Sequence, residues 1–477
     1  MKPRIASIAL IVTVSAVSFG VAGSNDVVRA AGLTRAADPV VLTGSQLPTL
    51  VAGSKTTIVG FRWNGAAWQQ LPIQIDERAI KNFSTIYNNA ALSFYGSEPG
   101  LVDELVYTAT SSWTGKDPDV KFDNDDELVF MARDAGVQSP GGSQPAGTAV
   151  GTGVEVHVTD PVTVGNEGYV YLFRKSAGSP LKQAAGAKYQ KYVFKLLSGG
   201  YKPTYNLTGT PNPENSLVTG ATYKRHFSDR WLTDQLTITA PGATAVDILD
   251  RNKVLFAPSV CSRSEDTFNA SGPYGSAEGA YVINKNGPVR SIRSFVGANS
   301  GPNTQRTHFF YDRREDVRTD LRVHAIPSVM DFVDYSPAAS GMTYRNVANP
   351  AGVPVDGNPD SLTAGSPTWE QIAGAQGTVT MVRQLTASFT PTVTNYYLDD
   401  STPATPQCTG DAFAYASSGS YITSSIPCTD PGTGCAGSMA ATTTLFYEAP
   451  GGDATTAAQH DAEVAQPLVA TTGSWVP

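Results

Sequence analysis

Charge is scarce in this chain. Asp, Glu, Lys and Arg make up 16% of its 477 residues, against roughly 25% in ordinary soluble proteins. The acidic residues prevail, leaving a formal net charge of −8. That balance argues against nucleic acid or an anionic membrane as the main partner, because both need a basic surface. Histidine is sparse as well. His157, His226, His308, His324 and His460 lie far apart, so a histidine-rich metal centre has no support. The four cysteines contain no CxxC pair of metal-ligand spacing. A GxSxG elbow, an HExxH helix, a Walker loop and a Rossmann fingerprint are all missing. Long runs of Ala, Leu, Glu and Lys are nearly absent, and Ala457 to Gln466 is the best helical candidate.

What is present points to strands and turns. Gly (45 residues) and Pro (32 residues) are plentiful, and apolar runs are short and closely spaced. The expected fold is mainly β. A β-sandwich-like domain over 40–175 precedes a larger layered β-sandwich over 189–477, for which a supersandwich is one form. Lys2 and Arg4 followed by uncharged Ile5 to Ala22 predict a signal peptide over 1–30 and a disordered leader over 31–39. The competing reading of that stretch is an uncleaved anchor, although it falls short of the roughly 20 apolar residues of a span and contains serines. The mature protein is therefore expected to be secreted. An oxidising exterior favours disulfides, with Cys428–Cys435 closing a short loop and Cys261–Cys408 joining distant strands.

The clearest local signal is a hairpin. Thr56 to Trp63 runs into Asn64-Gly65, and Ala66 to Ile75 runs back. Asp103-Glu104-Leu105-Val106-Tyr107 is then echoed by Asp126-Glu127-Leu128-Val129-Phe130, which suggests two similar strands entering one sheet. Further strands are predicted at 154–158, 169–173, 192–197, 223–227, 236–239, 245–249, 280–284, 289–296, 307–311, 317–326, 378–382, 396–398 and 442–447. Arg174 to Lys188 reads as a linker or domain edge.

Trp63-Asn64-Gly65, Leu71 to Glu77 and Asp126 to Phe130 together resemble the N-terminal β domain of uncharacterised secreted bacterial proteins. Some relatives of those proteins are similar to polysaccharide-processing β-sandwich proteins. Beyond residue 190 the chain resembles an actinobacterial secreted family. The resemblance implies strands and a carbohydrate setting, and carries no catalytic residue.

Chemistry concentrates in 287–345. Along Val317 to Ala325 the even positions are Arg318, Asp320, Arg322 and His324, one polar face of a strand. Aligned with neighbouring strands, these residues form a groove for an anionic or polyhydroxylated ligand. His324 and Tyr311 are then acid/base candidates, and Arg322 is a charge neutraliser. Arg293, Arg306, His308, Arg318 and Tyr335 are ligand-binding candidates. The plainer reading of the same residues is cross-strand ion pairing. A hydrolase would instead use carboxylates, with Asp331, Asp334 and Glu315 the nearest. Asp119, Asp123 and Asp125 form a candidate Ca²⁺ loop that departs from an EF-hand at Lys121, with a solvated acidic turn as the alternative. Tyr223 to Trp231 is a further polar-aromatic cluster. The expected function is binding, and cleavage by lyase or hydrolase chemistry, of an extracellular polysaccharide or other polar polymer. The alternative is a non-catalytic envelope protein.

Overall fold

Period-two alternation decides which face of each strand is buried. Val154–Thr159 shows the rule, burying its three valines while Glu155, His157 and Thr159 stay half-exposed. The structure is a computed structural model that describes residues 33–82, 103–197, 214–229, 232–256, 280–298, 301–321, 326–402, 413–427 and 439–477. It is mainly β, as the composition predicts, with strands in five sheets among the described residues.

Two large antiparallel sheets form a sandwich. One runs in the order Lys191–Val193, Ser216–Thr219, Tyr223–Phe227, Thr233–Ile238, Leu249–Leu255, Val329–Tyr335, Ala414–Ile422, Val393–Asp400. The other has nine strands: Ala280–Asn286, Ser291–Ala298, Gly301–Phe310, Arg314–Leu321, Met439–Glu448, Gly377–Ala387, Trp369–Gly374, Thr343–Asn346 and Asn349–Pro354. Tyr223, Phe227, Leu236 and Ile238 of the first meet Phe310, Val317, Met381 and Leu445 of the second. Each fully buried side chain of this size contributes about 1.5–3 kcal/mol. The helix Ala454–Ala465 starts where Asp453 accepts from Thr456 N, and packs Ala457 and Val464 on Trp369, Val382 and Phe446 of the nine-stranded sheet.

The N-terminal unit is a smaller sandwich. A three-stranded sheet, Pro39–Thr43, Glu127–Met131 and Gln74–Asp76, packs against a five-stranded one through Val40, Leu42, Leu128, Val156 and Leu172. The expected hairpin is present in part, as Ile58–Trp63 with Trp68–Leu71, while Gln74–Asp76 leaves the expected return strand to pair with Glu127–Met131. Its loop has four residues, because the Asn64 side chain accepts from both Ala66 N and Ala67 N. The two copies of the repeated motif join different sheets: Asp103–Tyr107 pairs with Arg78–Asn82, and Glu127–Met131 with Pro39–Thr43.

Two boundaries differ from expectation. Residues 33–39 are built into the unit: Leu33 is in its core, and buried Arg35 pairs with Asp38 and Asp160. The unit also includes the end of the chain, because Val469–Ser474 is the edge strand beside Val154–Thr159. The expected strand 245–249 begins only at Leu249, since Ala245 adopts a left-handed turn at φ 56°. Among the described residues no helix is long and apolar enough to cross a membrane.

Candidate functional site

Strand Arg314–Leu321 buries Glu315, Val317 and Thr319 and directs Arg314, Asp316 and Arg318 to its outer face. Register extends that face sideways. Arg318 lies opposite Thr442, and Thr442 opposite Gln384. Asp316 lies between Phe309 and Thr444. The N-terminal unit covers this face and leaves a cavity of about 550 Å³. Tyr107 and Glu127 line it from the unit, Arg290, Phe309, Tyr311 and Arg318 from the sheet, and Glu463 from the helix.

Arg290 ties one end of the cavity together. Its Nε donates to Asp76 Oδ2 at 2.8 Å, Nη2 to Glu127 Oε2 at 2.5 Å, and Nη1 to the Tyr311 hydroxyl at 3.4 Å. Tyr107 donates to the same Glu127 oxygen at 2.8 Å, while Arg78 approaches Oε1 at 3.0 Å. Burial alone would raise the Asp76 pKa, but Lys285 and Arg290 hold it below the ordinary carboxylate value. Burial raises Tyr107 well above its usual pKa and pushes Tyr311 up to about 12. Both are therefore neutral hydroxyls at physiological pH. At the other end Arg314 bonds Asp316 and Asp38, each at 2.8 Å, and half-exposed Arg318 bonds Asp320 at 2.8 Å.

The opposite face of the same sheet holds a second polar group, sealed between the large sheets. Arg293 is the cross-strand partner of His308, and its guanidinium pairs with Glu214 and sits over the Phe227 ring at 4.1 Å. His308 Nδ1 meets Glu315 at 2.7 Å. Burial lowers the imidazole to about 4 despite that carboxylate, so it is neutral. Burial would raise Glu315, but Arg225 and His308 hold it at about 2. Tyr447 donates to Glu315 at 2.6 Å, and Arg306 reaches Asp331 at 3.5 Å.

The candidates from the sequence thus fall into two places rather than one groove. Arg293, Arg306 and His308 face the interior, whereas Tyr311 and Arg318 line the outer cavity. The reason is register: Thr307, not His308, opposes Arg318, and a one-residue offset reverses the face. Tyr335 is a core residue beside Leu249 and Val333, so it offers no surface to a ligand. Arg322, His324, Trp231, the signal peptide 1–30, residues 31–32 of the leader, and Cys261, Cys408, Cys428 and Cys435 lie outside the described residues. Asp76, Gln384, Thr442 and Glu463 were not singled out from the sequence, because only tertiary packing brings them together. Glu127 and Tyr107 carried a signal, being members of the repeated motif.

In the acidic loop Asp123 and Asp125 converge with Asp126, their carboxylate oxygens within 4.8 Å of one another. Asp119 is not part of that group and accepts from Lys121 N instead. Burial, with neighbouring carboxylates adding to it, raises Asp125 to about 6 and Asp126 to about 7.

No family model and no curated protein matches the chain. Two solved structures show a distant likeness. The protein HI1317 is 9% identical, covering 53% of this chain and 99% of its own, with a TM-score of 0.31. A protein from Escherichia coli K12, provisionally an aldose 1-epimerase, is 9% identical over 54% of this chain and 99% of its own, with a TM-score of 0.27. Neither likeness bears on the site.

Proposed function

We propose that this protein is exported, as its leader suggests, and binds a neutral saccharide in the cavity between the N-terminal unit and the nine-stranded sheet. The observation that carries the reading is the cavity lining. Arg35, Arg290, Arg314 and Arg318 face Asp38, Glu127, Asp316 and Glu463, so four cations stand against four anions. Such a wall offers alternating donors and acceptors but no net attraction for an acidic polymer. Gln384, Thr442 and Thr444 add neutral polar groups, and Tyr107, Phe309 and Tyr311 add aromatic surface. Hydroxyl-rich rings with apolar faces suit that combination.

Binding is favoured over cleavage at this place. Glu127 is shared between Arg78 and Arg290, and both tyrosines keep their protons, so no free base lines that end. Of the hydrolase candidates, Glu315 is enclosed on the other face and held ionised, which suits no general acid. Asp331 lines a separate cavity of about 340 Å³.

The test is calorimetric titration of the mature protein with neutral and uronate-containing oligosaccharides, repeated on Arg318→Ala and Gln384→Ala. Neutral oligosaccharides should bind, and each substitution should weaken them by about 0.5–1.5 kcal/mol per lost hydrogen bond. Silence across the panel, or binding unaffected by both changes, defeats the proposal.

A further inference from the structure

We propose that the loop from Asp117 to Asp126 is a divalent-cation site of the calcium type, with Asp117, Asp123, Asp125 and Asp126 as its carboxylate ligands. Three of these carboxylates already lie within 4.8 Å of one another. The fourth supplies an independent reason. Asp117 is only 3% exposed, and its Oδ2 is buried with no hydrogen-bond partner, as is Asp125 Oδ1. Asp117 Oδ1 accepts from Asp119 N at 3.0 Å within the same loop, so Oδ2 is the oxygen left for an ion. A buried carboxylate oxygen without a partner is costly, and one in a loop with three further carboxylates is more so.

Among the described residues no Lys or Arg forms an ion pair with any of the four. Arg78 donates its Nε to the Asp125 carbonyl at 2.5 Å and directs Nη1 to Glu127, and Lys81 acts on Asp117 only through its charge. A hard cation that takes six to eight oxygens at flexible geometry matches a set of carboxylates better than a strictly octahedral one does. Backbone carbonyls and water can complete the shell.

The loop is also held in place before any ion arrives. Gly44 N donates to Asp126 O at 2.9 Å, Ser45 N to Asn124 O at 3.1 Å, and Phe122 N to Gly53 O at 3.0 Å. Gly44 is required there, because a Cβ would meet Asp123 O. Preorganisation of this kind lowers the ordering cost of binding. Asp126 in addition accepts from Arg78 N at 3.0 Å, so the ion would sit one residue from Glu127 at the cavity.

The experiment is titration of the EDTA-treated full mature chain with Ca²⁺, followed by calorimetry and thermal unfolding, with Mg²⁺ in parallel. Expected are one Ca²⁺ per chain, a raised Tm, and affinity reduced about tenfold or more in Asp125→Asn, with Mg²⁺ weaker. Asp125→Asn is the chosen variant because Asp125 caps no backbone amide, unlike Asp123 and Asp126. Terbium luminescence of the wild-type chain, displaced by Ca²⁺, gives a readout independent of any variant. Absence of heat, of a Tm change and of terbium binding at millimolar ion overturns the proposal, as does full Ca²⁺ affinity in Asp125→Asn. Arg318→Ala should leave Ca²⁺ binding unchanged, so failure of the saccharide reading and failure of this one are separable.

Discussion

Arg290 and Glu127 meet at 2.5 Å across the boundary between the N-terminal unit and the nine-stranded sheet. The same guanidinium holds Asp76 from the other side. One cation thus bridges two carboxylates from a different part of the fold, each of which keeps a second cation, Lys285 at Asp76 and Arg78 at Glu127, and Arg290, Asp76 and Glu127 are all largely buried.

Arg290→Ala should therefore destabilise the protein by about 1.5–3 kcal/mol, the usual cost of losing hydrogen bonds to charged groups, because Asp76 keeps Lys285 and Glu127 keeps Arg78. Arg290→Lys should recover only part, because an ammonium lacks the planar fork that reaches both carboxylates. Urea unfolding of the two variants measures this, and equal stability of wild type and Arg290→Ala would contradict the assignment.

His308 makes stability depend on acid. Its folded pKa is lowered from 6.5 to about 4, so below 6.5 the unfolded chain takes up a proton that the folded chain refuses. Stability from this residue is present above pH 6.5 and is lost as pH falls towards 4. Glu315 adds a loss in the same direction, as pH falls from 4.5 towards about 2. Urea midpoints measured from pH 7 to 4 should decline, and His308→Gln should flatten that decline.

His460 acts at the other end of the scale. Burial would lower it, but hydrogen bonds to Glu448 and Glu463 raise it from 6.5 to about 9. Its contribution is fully present below pH 6.5 and fades as pH rises through about 9. The helix Ala454–Ala465, which carries His460, should lose hydrogen-exchange protection over that window, and His460→Gln should remove the dependence.

Much of this fold was legible in the sequence, and the reasons are local. Gly and Pro counts and period-two alternation indicated a mainly β chain, and Asn64-Gly65 marked a real turn. Tyr223–Phe227 matches its predicted bounds. The candidate site was less legible. Composition singled out the arginines of 290–345, but register decides whether Arg318 shares a face with His308 or with Phe309, and register is a property of pairs of strands. The contributions of Gln384 and Glu463 depend on contacts between distant segments. The acidic loop was visible as carboxylates, yet Asp119 and Asp126 could be told apart only by where the backbone turns.

Gly44→Ala should destabilise the protein by about 1–3 kcal/mol through overpacking, since the added methyl would collide with the Asp123 carbonyl. It should also impair Ca²⁺ binding while leaving the saccharide cavity intact. Paired thermal unfolding and Ca²⁺ titration check both statements.

The strand Val469–Ser474 pairs with Val154–Thr159, and Trp475 beside it packs edge-on against Trp68, Tyr171 and Phe173. A ribosome makes those residues only after the whole of the large sandwich. The unit begun before the large sandwich accordingly finishes its sheet only after it, and until then Val154–Thr159 remains an open edge with unpaired amides. Order of synthesis and order of completion run in opposite directions. A chain cut short anywhere after the large sandwich would carry its defect at the far end of the sequence, in the N-terminal unit.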